Sequence, residues 1–316
     1  MSANTLSATT DADDTAEAQR RAADREAREK TARRLLRSSL EHSYEPSLDI
    51  DWDAPLVDGL YGMPAHRCSL YGTELWDQLT EEQRITLSIH EVCSIARVGL
   101  WFEIILMQML LRYSYDRDPR TGHIQYALTE IADECRHSIM FAKMTERYGV
   151  PDYRPRWYAH ALGRVFKTVA SGTAMFAGTL VAEEITDQLQ REGMKDDTVQ
   201  PLTRMVSKIH VTEEARHVRY AREELARLAP RANRVERVVG RWLTALAAHR
   251  IATNLIHPDV YRSVGLDPKV ARKVAANNPH HQDSIRWTAR KLVPFLRETG
   301  MIGGLSEILW RKANLV

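Results

Sequence analysis

Two Glu-x-x-His quartets stand in the middle of this chain, Glu134-Cys-Arg-His137 and Glu214-Ala-Arg-His217. On a helix, residues three apart share a face, so each quartet aims one carboxylate and one imidazole at the same spot. Alone the motif says little, because Glu and His are frequent enough to meet at that spacing by chance. Its surroundings are more specific. Glu103 precedes Glu134 by 134 − 103 = 31 residues, and Glu183 precedes Glu214 by 214 − 183 = 31. The set repeats at an offset of 80, pairing Glu103 with Glu183, Glu134 with Glu214, Arg136 with Arg216 and His137 with His217. Asp133 and Glu213, the acids just before the inner glutamates, are placed to orient the opposite histidine. Glu184 competes with Glu183 for the same role. One residue turns a helical side chain by about 100°, so only one can face inward, and the 31-residue symmetry favours Glu183. His210 breaks the repeat. It lies one turn before Glu214, its counterpart is Glu130, and it offers the site a third imidazole.

These residues need long elements to hold them. Thr80-Glu-Glu-Gln83 has the form of a capping box, and apolar periodicity after it runs to about Tyr115. Asp116–Gly122 reads as a turn, followed by a helix from about His123 to Tyr148 that stops at Gly149 and Pro151. Further helices are expected over about 157–191, 201–229, 233–255, 282–298 and 304–314, with a turn-rich stretch at 256–281. No period-2 strand pattern of useful length appears, so the class is all-α. The midpoint of 103 and 134 falls in the Asp116–Gly122 turn, and that of 183 and 214 falls in the 193–200 turn. In each antiparallel hairpin the arms are therefore equal and the carboxylates sit level. Four Glu and two His in the core of a four-helix bundle form the ligand set of di-iron and di-manganese carboxylate proteins. Four buried carboxylates are costly without counter-charge, and two divalent cations supply it. Mixed imidazole and carboxylate donors suit Fe or Mn better than thiolate-rich Zn sites.

The rest of the chain narrows the field. Its 316 residues carry 44 Lys and Arg against 42 Asp and Glu, a net +2, which argues against a dedicated nucleic-acid binder. Three cysteines (Cys68, Cys93, Cys135) make no Cys-x-x-Cys pair and suit a reduced, cytoplasmic chain. Residues 1–45 read as a flexible segment with an exposed, charge-laced helix over about 14–42, preceded by disorder at 1–12. Residues 46–316 read as one domain, with the metal bundle at about 80–230 and C-terminal helices over 231–316. The apolar stretches at Trp101–Leu111 and Val169–Ala182 fall short of a membrane span, so no membrane partner is expected.

Glu103, Asp133-Glu134-x-Arg-His137, Glu183-Glu184 and His210-x-x-x-Glu214-x-Arg-His217 together closely resemble the p-aminobenzoate N-oxygenase family of ferritin-like non-haem di-iron enzymes. The third histidine is the most specific element of the likeness. The resemblance implies a ferritin-like four-helix bundle with added N- and C-terminal helices, and two Fe ions held by Glu103, Glu134, His137, Glu183, His210, Glu214 and His217. It also implies a homodimer and O2-dependent oxidation of an aromatic amine to a hydroxylamine, nitroso or nitro product, often in antibiotic biosynthesis. No flavin, nicotinamide or iron–sulfur motif is present, so electrons are expected from a ferredoxin or a separate reductase. The substrate pocket is expected beside the metals, near Leu100, Leu106, Met107, Phe176 and Val181. An acidic amine would call for a fork-shaped partner, for which Arg286 and Arg290 are candidates. Hydroxylation of a C–H bond by the same centre is the alternative, with ferroxidase activity behind it. A radical-bearing reductase subunit would place Tyr four residues after His137, where this chain has Phe141. With the four glutamates set against metal, the remaining charge is 44 − 38 = +6, a surface suited to an acidic electron donor.

Overall fold

The computed structural model describes residues 4–316, with side chains described from Ala18 onward apart from Arg20 and Arg21. Among the described residues there is no strand, only an isolated parallel bridge between Tyr61 and Val199. The chain runs α1 (Asn4–Glu41), α2 (Pro46–Asp49), α3 (Glu74–Gln78), α4 (Glu81–Tyr115), α5 (Gly122–Arg147), α6 (Trp157–Val169), α7 (Gly172–Gly193), α8 (Pro201–Leu228) and α9 (Arg234–Asn254). It ends in four short helices, α10 (Pro268–Asn277), α11 (Pro279–Thr288), α12 (Leu292–Glu298) and α13 (Glu307–Lys312).

The hairpins α4–α5 and α7–α8 form the bundle, joined by contacts of α4 with α7 and of α5 with α8. Their ends are fixed by local chemistry. Gln83 N–H donates to the Thr80 hydroxyl and Thr80 N–H to the Gln83 side chain, closing the expected capping box. α8 opens on Pro201, whose missing N–H costs nothing in a first turn. α4 is long and apolar enough to cross a membrane by length and composition, beyond the short stretch expected; half of its most apolar stretch is buried in the bundle, and the helix carries the buried charged residues Glu91 and Glu103.

Several expectations about the elements need correction. The helix expected over 282–298 is two, α11 and α12, and the stretch expected as turn-rich at 256–281 contains α10 and the start of α11. The stretch expected as one helix over 157–191 is two, because Ala170 and Ser171 are extended and Gly172 takes φ +52°, a left-handed backbone that glycine adopts without strain. The break lets α6 leave the bundle and lie across α4, while α7 alone carries Glu183. The N-terminal helix is not simply exposed either. It begins at Asn4, and its second half docks on α5 and α8, burying Ala32, Leu35 and Ser39 on one stripe. Glu29 accepts from the backbone N–H groups of Gly122 (2.7 Å) and His123 (3.2 Å), supplying α5 with an N-terminal cap from a distant helix. Residues 1–3, part of the expected disordered start, lie outside the described residues.

Candidate metal centre

Each hairpin delivers its residues level with the other's, as the equal arms require. One donor atom each of Glu134, His137, Glu214 and His217 lies within 4.8 Å of the others. The same holds for Glu103, His137 and His210, and for Glu183, His210 and Glu214. The seven residues predicted as ligands thus converge in one buried place, contributed by α4, α5, α7 and α8.

The imidazoles are oriented. His137 Nδ1 lies 3.2 Å from Glu134, and its Nε2–H donates to Glu213 at 2.8 Å. His217 mirrors this, with Nδ1 3.1 Å from Glu214 and 2.9 Å from Glu134 Oε1, and Nε2–H donating to Asp133 at 3.2 Å. Each acid therefore holds the histidine of the other hairpin and turns its Nδ1 inward. Asp133 is itself held by Arg136 and lies 3.5 Å from Arg216. Glu213 accepts from the backbone N–H of Tyr44 at 2.9 Å. His210 has the opposite orientation. Its Nδ1–H donates to Gln190 at 2.7 Å and its Nε2 points into the cluster, 3.6 Å from Glu103 and 4.0 Å from Glu214. Glu184 faces away, clasped by Arg222 through two hydrogen bonds of 2.8 and 2.6 Å, which separates it from Glu183 as the 100° rotation predicts.

A donor set can be tested for fit by its unpaired atoms. Glu103 Oε1, Glu214 Oε1 and His210 Nε2 are buried with no hydrogen-bond partner. Such atoms are rare in proteins because each costs about 1–3 kcal/mol when left unmade. Here they belong to one cluster of oxygen and imidazole donors, which fits divalent Fe or Mn.

Protonation follows the same crowding. Burial pushes the Glu103 carboxyl up to about 8, with the Glu134 charge adding to the effect. Burial and the charges of Glu214, Glu134 and Glu103 hold Glu183 well above the usual carboxylate range. Burial opposes charge on His137, but hydrogen bonds to Glu134 and Glu213 prevail and raise it to about 10. His210 is pushed down to about 4 by burial and by the nearby His137. A cation must expel protons from Glu103, Glu183, His137 and His217, whose neighbouring carboxylates raise it as well, so acid competes with metal. Mn(II) affinity, measured by competition with a chelator, is expected to rise from about pH 6 to about pH 8, by about tenfold per pH unit for each proton released. An affinity that stays flat or falls over that range would contradict the proton count.

Two clefts lie beside the cluster, lined by neighbours of its donors and not by the donors themselves. The larger, about 650 Å³ including its open mouth, lies between α4, α6, α7 and α9. Its walls include Phe102 and Leu106, which flank Glu103, and Thr179 and Ala182, which flank Glu183. The tip of the Phe166 ring packs against α7 because residue 178 is glycine; a Cβ there would come within 2.3 Å of it. The smaller, about 500 Å³, is lined by Phe141, Gln190 and Ser207 on the His210 side.

Among the expected pocket residues only Leu106 lines the larger cleft. Phe176 and Val181 are buried in the core, Met107 touches Cys135 on the outer side, and Leu100 packs with the cluster around Phe141. Arg286 and Arg290 are not in either cleft. Arg286 pairs with Asp283 at the surface and exposed Arg290 lies over the Trp287 ring, because α11 runs along the outside of α7. Arg250 is the charged residue in the wall of the larger cleft. Sequence reasoning also missed Gln190 and Ser138, which donates to Glu103 at 2.8 Å. Gln190 stands two turns after Glu183, the spacing that could have marked it.

The comparisons with known proteins agree with this site. Over 303 residues the chain is 28% identical to an uncharacterized protein of Mycobacterium bovis, covering 89% of this chain and 85% of that protein. An uncharacterized protein of Mycobacterium tuberculosis gives the same identity and coverage. Residues 25–300, most of the chain and the whole of the bundle, match the family described as P-aminobenzoate N-oxygenase AurF. The chain therefore belongs to the p-aminobenzoate N-oxygenase family, a family of di-iron enzymes.

Proposed function

We propose that the chain is an O2-activating di-iron oxygenase that oxidises the nitrogen of an aromatic amine to a hydroxylamine, nitroso or nitro product. The observation that supports this most is the convergence of seven carboxylate and imidazole donors, several with unpaired atoms, in one buried cluster of a family member. In this reading Glu103, Glu134, His137, Glu183, His210, Glu214 and His217 bind two irons. Glu134 and Glu214, which sit beside His137 and His217, would hold metal together with those histidines. When bound, iron supplies O2 activation and the oxidising power.

The chain's own residues do the rest. Asp133 and Glu213 fix the tautomer and ring angle of His217 and His137, and Gln190 does the same for His210. The apolar walls around Phe102, Leu106 and Phe166 exclude water and stack an aromatic ring beside Glu103 and Glu183. Arg250 receives the polar end of the substrate. Electrons come from an external ferredoxin or reductase, and a homodimer is the assembly we expect. A place in natural-product biosynthesis fits this chemistry.

Iron analysis of protein from iron-rich medium is expected to give about two Fe per chain, as the ligand set of such bundles requires. Reduction, exposure to O2 and product analysis with a panel of aryl amines is expected to yield N-oxygenated products. Absence of stoichiometric iron or manganese would overturn the proposal. Oxygenation at carbon alone would favour the C–H hydroxylase reading.

A further inference from the structure

Beyond the cluster, the bundle contains a second group of buried and half-buried, chemically active side chains that no step above uses. Tyr220 lies one turn beyond His217 and its ring stands 4.9 Å from that of Tyr126. Phe176 joins Tyr220 (6.0 Å) to Tyr113 (5.6 Å), so that aromatic rings run without interruption from the neighbourhood of His217 to the end of α4. There the hydrogen bonds have a direction. Arg28 donates to the Tyr113 oxygen, and the Tyr113 hydroxyl donates to His123 Nε2 at 2.7 Å. His123 Nδ1 faces the Tyr220 oxygen at 3.1 Å and Glu224 at 3.9 Å. Glu224 is held by Arg28 Nε (3.0 Å) and Arg227.

We propose that Tyr113 and His123 form a redox-active pair that accepts an oxidising equivalent from the metal site along this column of rings. The inference rests on the di-iron reading. Tyr113 lies ten residues beyond Glu103, about 15 Å along the helix, and the rings of Phe176 and Tyr220 fill that interval. In the step, Tyr113 gives one electron to the metal-centred oxidant formed from O2. Its O–H bond breaks and the proton moves to His123 Nε2, leaving a neutral phenoxyl radical and an imidazolium beside the Glu224 carboxylate. A one-electron reductant at the surface, a thiol or a reduced carrier protein, restores the phenol as the proton returns. Burial and the surrounding arginines keep His123 neutral at rest, so its Nε2 lone pair is free to accept. Burial disfavours the Tyr113 phenolate, so electron and proton leave together. A plain proton channel does not fit the column, because the Tyr126 hydroxyl has no hydrogen-bond partner and the Tyr126–Tyr220 link is ring to ring. The pair drains oxidising power when O2 reacts without an amine in the cleft, sparing the ligands.

The test uses the full chain, iron-loaded and reduced, exposed to O2 without amine and freeze-quenched for electron paramagnetic resonance. A tyrosyl radical is expected in the wild type, narrowed when the tyrosines are deuterated and lost in Tyr113→Phe. It is expected to be lost also in His123→Leu, which keeps the Tyr113 ring but removes the proton acceptor. Peptide mapping is expected to show severalfold more oxidation of Met140 and Phe141, near the ligands, in Tyr113→Phe. That variant keeps the ring packing, so it alone decides the matter if His123→Leu does not fold. O2 uptake with no tyrosyl signal, or with signal and damage unchanged in Tyr113→Phe, overturns the relay and leaves the di-iron reading standing. Absence of any O2 uptake would remove both.

Discussion

Replacing Glu134 with alanine is expected to remove bound iron and, with it, all amine oxygenation. Glu134 touches both halves of the site, Oε2 lying 3.2 Å from His137 Nδ1 and Oε1 2.9 Å from His217 Nδ1, and its side chain is fully buried. Burial opposes its charge, yet these two histidines hold its carboxyl well below the ordinary range. Its loss is expected to exceed the 10- to 100-fold that removal of an outer partner costs in metal affinity. The metal-free protein should suffer too. Both imidazoles lose their shared counter-charge in a buried place, and breaking a buried pair from one side costs about 3–5 kcal/mol. Glu103→Gln makes the contrast. Its carboxyl is held up to about 8 by burial and so carries a proton near neutrality. Its neutral amide should weaken metal binding with little effect on the metal-free fold. Elemental analysis and thermal unfolding without metal check both outcomes. Two irons retained in Glu134→Ala would sink the ligand assignment.

How much of this could be read from the sequence depended on whether the information was local and periodic. The hairpin register was legible because equal separations of 31 place four glutamates level whatever the details of packing. The choice between Glu183 and Glu184 was legible because helical rotation sends adjacent side chains to different faces, and Arg222 waits on the other face. The cleft was not. Leu106 lines it and Met107 does not, a difference of one residue that depends on where α6 and α9 lie. Those positions depend on the break at Ala170–Gly172, which sits inside an apolar run with no proline to mark it. The docking of α1 was hidden for a related reason. Ala32, Leu35 and Ser39 form a narrow stripe within a segment dominated by charge, and its main polar anchors, Arg28 on Glu224 and Glu29 on the start of α5, are long-range pairs that no periodicity reports. The backbone N–H of Tyr44 on Glu213 is of the same kind.

Asp133→Asn is expected to lower metal affinity by about 10- to 100-fold while leaving every ligand in place. Asparagine keeps the size of the side chain and can still accept from His217 Nε2–H. It lacks the charge that raises the basicity of that imidazole, and it no longer pairs with Arg136 and Arg216. Glu213→Gln is expected to do the same through His137. The two effects should not simply multiply. Arg216 lies 3.5 Å from Asp133 and 3.7 Å from Glu213, so it is free to shift to whichever acid remains after a single change. Neighbours that share a partner couple by about 0.5–3 kcal/mol. The double variant loses both acids and leaves Arg216 buried without a carboxylate, so its loss should exceed the product of the single losses. Competitive Mn(II) titration of the four proteins measures this coupling directly. Losses that multiply within error would mean that the two acids act on separate histidines without communicating through Arg216.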